Sequence, residues 1–268
     1  FSLITVGYSA NALGGAGGPL AVLIIAIVAS ELGKAVSKET RVDILVTPLV
    51  TIFSGVGLSM LIAAPIGAAA SQVGTLIMWA TEQAPLVMGI LVSVIVGVAL
   101  TLPISSAAIC AALGLTGLAG GAAVAGCCAQ MIGFAVMSYK ENGVGGLVSQ
   151  GLGTSMLQMG NIVKNPRIWI APTLASAITG PLATCVFHFE MNGAAVSSGM
   201  GTCGLVGQIG VYTGWVSDIA AGVKTAITPM DWAAMVLLCF VLPAVLSVII
   251  CEIERKLGWI KEGDLKLN

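Results

Sequence analysis

"PLVMGILVSVIVGVALTLPISSAAICAALGLTG" occupies residues 85–117. Residues 85–102 are apolar and close to the roughly 20 residues a helix needs to cross a bilayer. Pro103 then removes a backbone donor and frees a carbonyl upstream. Residues 103–117 are too short for a comfortable regular span. A broken or re-entrant helix is the expectation here, because irregular backbone at membrane depth persists only where protein or a water-filled cavity satisfies it. Ser105 and Ser106 follow the break directly. Their hydroxyls can meet a ligand or bond back to their own helix, and the sequence leaves both readings open.

The rest of the chain carries the same signature. Hydrophobic residues make up 57% of its 268 positions and charged residues only 9%, against about 25% charged in a soluble domain. Mean hydropathy is +1.02. Too little charge is present to cover a water-facing surface, so lipid is the solvent this composition fits. The 35 glycines suit helices that pack backbone to backbone in a bilayer. A net charge of −1 carries no nucleic-acid signal. The seven cysteines lack zinc-ligand spacing and read as small apolar residues. No GxxxxGK[ST], HExxH or CxxC occurs, and no span carries a run of arginines. A nucleotide-driven pump and a voltage sensor are excluded, and no cofactor or metal is expected.

Residues 19–33, 44–66, 118–138, 168–187 and 232–251 read as further spans. Residues 67–84 either continue the second span or lie along the interface, with Trp79 as anchor. Gly117 and Gly121 have a GxxxG spacing that suits close packing. Residues 139–167 form the longest polar stretch, in which Glu141 reads as solvated. Within it Gln158, Asn161, Lys164 and Arg167 read as an ordinary positive-inside loop or as one that approaches a substrate or a phosphodonor. Ten of the eleven Lys and Arg lie in the 34–41 turn, the 140–167 stretch and the tail, leaving only Lys224 elsewhere. Placing those three regions in the cytoplasm gives an even number of crossings between them. It also puts residues 187–210 on the other side, or dipping in from it.

That segment, "FHFEMNGAAVSSGMGTCGLVGQIG", holds the chain's one histidine, His188, and Glu190 two residues on. At i and i+2 they share no helix face, but on an extended segment they point the same way. One reading is a polar substrate site, with Glu190 accepting from hydroxyls and His188 donating or relaying a proton. The other is a helix end at headgroup level where both meet water. Gly199, Gly201 and Gly204 permit sharp turns and close approach to a ligand. A helix is expected to start near Thr202 or Gly204, with glycines 204, 207, 210 and 214 as one packing stripe.

"QAPLVMGILVSVIVGVALTLPISSAAICAALGLTG" (83–117), "GLGTSMLQMGNIVKNPRIWIAPTLASAITGPLATCVF" (151–187) and "GMGTCGLVGQIG" (199–210) resemble EIIC-type membrane proteins of the bacterial phosphotransferase system, in particular the branch called PfoR-like. The resemblance implies an all-α polytopic transmembrane protein with broken or re-entrant helices. It implies a homodimeric permease of the bacterial inner membrane that carries a sugar or sugar-like solute. Residues 1–268 then form a single EIIC-like domain, lacking N-terminal helices, with a polar cytoplasmic tail at 255–268. Glu190 and His188 are the candidate catalytic pair, contacting the hydroxyl that a separate EIIB protein phosphorylates. Ser105, Ser106, Asn192, Ser197, Ser198, Gly199, Gly201, Thr202 and Gln208 are the candidate solute contacts. The chain carries no EIIA or EIIB domain, so a phosphodonor must be another polypeptide. Two alternatives stand beside this one: an EIIC-fold membrane sensor without phosphorylation, and a transporter or channel for an unmodified solute.

Overall fold

The computed structural model describes residues 18–37 and 43–267. These are helical throughout apart from short connections, and their one sheet-like contact is an isolated antiparallel bridge between Gly117 and Met191. The described residues fall into two compact units, those up to 75 together with 111–113, and 76–110 together with 114–267.

In the first unit, helix α1 (Gly18–Val36) and helix α2 (Asp43–Gln83, whose last turns belong to the second unit) lie antiparallel. Ala21, Ile25 and Ala63 are buried together, and Gly33 lies against Thr51. Helix α2 settles the ambiguity at 67–84: the helix continues through residues 67–83. Pro48 and Pro65 lie inside it.

The second unit is built on α3 (Pro85–Thr101), the short α4 (Ser106–Leu113, whose end belongs to the first unit), and α5 (Gly117–Met137). After α5 come α6 (Tyr139–Val148), α7 (Met159–Lys164), α8 (Ile170–Pro181), α9 (Val206–Ala220), α10 (Pro229–Val236) and α11 (Leu242–Lys256). Single π-turns extend α8 over Leu182–Val186 and join α10 to α11 over Leu237–Val241. Among the described residues, four stretches are long and apolar enough to cross a membrane: Asp43–Gln83, Gly117–Met137, Pro166–Val186 and Pro229–Lys256.

Helix α5 is central, and small residues make that possible. Gly126 rests on the Ser93 carbonyl, Gly97 faces the Gly126 carbonyl, and Gly133 meets Ser247 and Pro172. Neighbouring backbones come this close only where no side chain intervenes.

The contacts also fix the direction of each helix. Thr184 donates to the Pro85 carbonyl (2.7 Å) and Ser93 to that of Ser176 (2.9 Å), so α3 and α8 are antiparallel. Thr101 reaches Gln130, and Gly133 packs on Ser247, so α3, α5 and α11 run parallel. One end of the unit therefore holds Gly117, Pro85 and Val186, and the other holds Met137, Thr101 and Arg255. Helix α3 finishes at the Met137 end and α5 starts at the Gly117 end, so the chain between them returns from one end to the other through the broken segment, residues 102–116. Residues 187–228 leave α8 and reach α10 at the same Gly117 end. In between they run inward beside α5 until Thr202 meets Met131 (3.5 Å), and return as α9. The tip of this hairpin, Cys203–Leu205, touches the π-turn Ser149–Gly153.

The tip turns through left-handed backbone at Gly201, Gly204 and Leu205. At Gly201 a Cβ would also meet the Cys127 and Cys128 backbone at 2.8–2.9 Å, so glycine is required twice over. Helix α9 begins at Val206, later than the sequence implies, and Gly204 is exposed and off the stripe. Gly207, Gly210 and Gly214 are buried against Gly201, Ser197 and the Asn192–Gly193 amides.

Residues 257–267 are bound in place. Leu265 and Ile260 are buried with Phe134, Met137 and Ile168. Glu141 pairs with Arg255 (3.0 Å) and accepts from the Leu265 amide (2.8 Å), while Gln158 and Asn142 both donate to the Leu265 carbonyl. Glu141 is thus a buried hub, against the solvated reading of the sequence. Nearby, Glu254 is 2% exposed and neither carboxylate oxygen has a hydrogen-bond partner. Glu254→Leu is expected to stabilise the protein by about 2 kcal/mol, since it removes an orphaned buried polar group. Thermal unfolding in detergent tests this: an unchanged or lower Tm would mean the carboxylate has a partner.

Candidate functional site

At the Gly117 end, a cavity of about 370 Å³ is lined by Val186–Glu190, Trp215, Asp218, Val223, Lys224, Met230, Asp231 and Ala234. The chain reaches it by unwinding after the π-turn. The His188 backbone is left-handed (φ 42°), and the next residues run extended. Phe189 and Met191 point into the core at 3% and 0% exposure. His188 and Glu190 are exposed on the cavity side. This is the period-two alternation that places i and i+2 on one face.

The segment is held firmly. Met191 and Gly117 exchange two backbone hydrogen bonds (2.9 and 3.0 Å), and the Phe189 amide donates to the Ala183 carbonyl (2.8 Å). Gly121 lies directly against the Phe189 carbonyl, where a Cβ would not fit. The GxxxG spacing at 117 and 121 therefore serves this crossing of an extended strand over α5.

Across the cavity stand residues from α9 and the loop after it. Asn192 Nδ2 donates to Glu190 Oε2 (3.1 Å) and to Asp218 Oδ2 (2.8 Å), so one neutral amide bridges two carboxylates. Lys224 pairs with Asp231 (2.7 Å) and lies 5.2 Å from the centre of the Trp215 ring. Asp231 also accepts from the Thr228 amide and hydroxyl in a capping box that starts α10. Trp215 packs edge-on to Trp232. Chemically, the cavity presents carboxylate acceptors, an imidazole and apolar walls, which suits a ligand rich in hydrogen-bond donors.

The candidate residues therefore separate into two groups. His188 and Glu190 come together at the cavity, and Asn192 joins them through its bonds to Glu190 and Asp218. The others lie along the crossing segment and the hairpin. Ser105 caps α4 by accepting from the Ala108 amide (3.1 Å). Ser106 donates to the Gly199 carbonyl (2.6 Å) and Ser198 to that of Leu115 (2.7 Å). Ser197 is buried against Gly210, Gly199 packs on the Ser106 carbonyl, and Gly201 lies against Cys127. Thr202 faces Met131. Gln208 donates to the Cys128 sulfur (3.3 Å), leaving its buried carbonyl oxygen without a partner.

Asp218, Lys224, Trp215 and Asp231 are cavity residues that the sequence did not single out as site residues. Two signals were present. Lys224 is the lone cation away from the basic clusters, and Thr228-Pro-Met-Asp231 is a capping-box pattern that fixes where Asp231 points.

The family model described as Phosphotransferase system, EIIC matches residues 2–267. No curated protein and no solved structure matches the chain. A match over that length, on an all-helical fold with four membrane-length apolar stretches, identifies the chain as a member of the EIIC family of the phosphotransferase system, a multi-pass membrane component of permease type.

Proposed function

We propose that the chain is the membrane permease for a sugar or sugar-like solute, working as a homodimer in the bacterial inner membrane, as one EIIC-like domain of the PfoR-like branch. Translocation is coupled to phosphorylation by separate EIIB and EIIA proteins. The match to the EIIC family over residues 2–267 carries this reading. The charge distribution supports an orientation. Lys140, Lys164, Arg167, Arg255, Lys256, Lys261 and Lys266 cluster towards the Met137 end, and Lys224 stands alone at the cavity. The positive-inside rule then makes the Met137 end cytoplasmic and opens the cavity outward.

In this arrangement Glu190 accepts solute hydroxyls, and His188 and Asn192 complete the rim. Glu190 and His188 stand at the outward end, so phosphoryl transfer at this pair requires a rocking or elevator-like motion that exposes them, with the bound solute, to an EIIB protein on the other side. The hydroxyls and amides of Ser105, Ser106, Ser197, Ser198, Thr202 and Gln208, with the backbone at Gly199 and Gly201, line the route opened when the hairpin moves. Re-entry of residues 187–220 from the outer face supplies the moving element.

Uptake by proteoliposomes, with and without cytosolic phosphotransferase proteins and phosphoenolpyruvate, tests the proposal. Accumulation of phosphorylated solute only in their presence is the expected result. Uptake of unmodified solute would make the chain a simple transporter, and binding without uptake would make it a sensor. Glu190→Gln is expected to weaken solute binding about tenfold by removing a charge-assisted acceptor. Unchanged affinity in a thermal-shift titration would remove Glu190 from the site.

A further inference from the structure

We infer that the cavity selects a polyhydroxyl solute bearing a protonated amine, of amino-sugar class, over neutral and anionic sugars. This rests on the reading of the cavity as the solute site. The inference comes from which charges in the cavity are already paired. Lys224 and Asp231 neutralise one another at 2.7 Å, and Asp231 is held further by Thr228. Lys224 also sits over Trp215, so it is held on two sides.

Glu190 and Asp218 differ. The structure gives their side chains one shared partner, the amide of Asn192, and no cation among the described ion pairs. One neutral NH2 group orders both carboxylates without offsetting either charge. Each keeps free lone pairs, and both line the same cavity. An ammonium group supplies three donors and the missing charge, and carboxylate–ammonium hydrogen bonds are the stronger, charge-assisted kind. The cavity's size of about 370 Å³ suits one small ring and its waters. An anionic sugar would face two unpaired carboxylates and find the one nearby lysine occupied.

Isothermal titration of the full chain in detergent, below the amine pKa, tests this with glucosamine, glucose, N-acetylglucosamine and glucuronate. N-acetylglucosamine keeps the nitrogen and removes its charge. Glucosamine is expected to bind at least tenfold tighter than glucose or N-acetylglucosamine, with no measurable binding of glucuronate. Asp218→Asn and Glu190→Gln should each reduce that preference severalfold, and a Tm near wild type in either one shows that the loss is not unfolding. Equal affinity for glucosamine and glucose, still weakened by Glu190→Gln, would overturn the amine preference and leave the solute site standing. Binding indifferent to both substitutions would overturn the site reading, and the preference with it.

Discussion

Glu141→Gln is expected to lower stability by about 3 kcal/mol and to release residues 257–267. The Glu141 side chain is 7% exposed and its Arg255 partner 17%, so both charges are largely withdrawn from solvent. One carboxylate oxygen takes the Arg255 guanidinium and the Gly263 amide, and the other takes the Leu265 amide. A glutamine offers one oxygen and one NH2 group to these three donors. It would set donor against donor and leave a guanidinium without its counter-charge. Leu265 would then leave the pocket it shares with Phe134 and Ile168, adding lost apolar burial. Limited proteolysis should cut within 257–267 in the variant and spare the wild type, and Tm in detergent should fall. Unchanged protection would show that the side-chain bonds of Asn142, Gln158, Asn161 and Asn165 hold the segment without Glu141.

Gly121→Val is expected to disrupt the site more severely than any change to a cavity side chain. A Cβ at 121 falls on the oxygen and carbon of the Phe189 carbonyl, which is backbone. The strand cannot move aside without breaking the Gly117–Met191 bond pair and lifting Phe189 from the core. A cost of about 3 kcal/mol is expected from overpacking against backbone. Protein that still folds should show loss of solute binding with little change elsewhere. Gly145→Ala is the control, because a Cβ there meets nothing within 4 Å. Monodispersity and Tm by size exclusion and thermal unfolding should separate the two, and similar behaviour would show that the strand yields easily.

The spans were legible because hydrophobicity over some 20 residues is a local property. The segments 85–102, 118–138, 168–187 and 232–251 lie within a few residues of the helical boundaries. The break at Pro103 was legible for the same reason. The fate of polar groups was not, because partners of hydroxyls and carboxylates lie far along the chain. Ser106 bonds to a residue 93 positions away, and Glu141 to one 114 away. The local sequence reads Glu141 as solvated and leaves Ser105 and Ser106 open between a ligand and their own backbone. Pairing across the fold sets Glu141 in a clamp and ties Ser106 and Ser198 to carbonyls. His188 and Glu190 were the exception, since their shared face depends only on local extended geometry. Asp218 stayed hidden because its meeting with Asn192 depends on the hairpin closing over 26 residues.

The paired hydroxyl bonds between the crossing segment and the hairpin have a mechanical meaning. Ser106 holds Gly199, and Ser198 holds Leu115, so the two irregular pieces are stitched at two points with opposite donor direction. Two such stitches remove sliding as well as separation, leaving the pieces a single degree of freedom. A cycle that swings the hairpin tip must therefore carry Ser106 and Leu115 along with it, or break both bonds at about 1 kcal/mol each. A covalent link between these pieces should be silent in transport, whereas one from the hairpin to α5 should jam it.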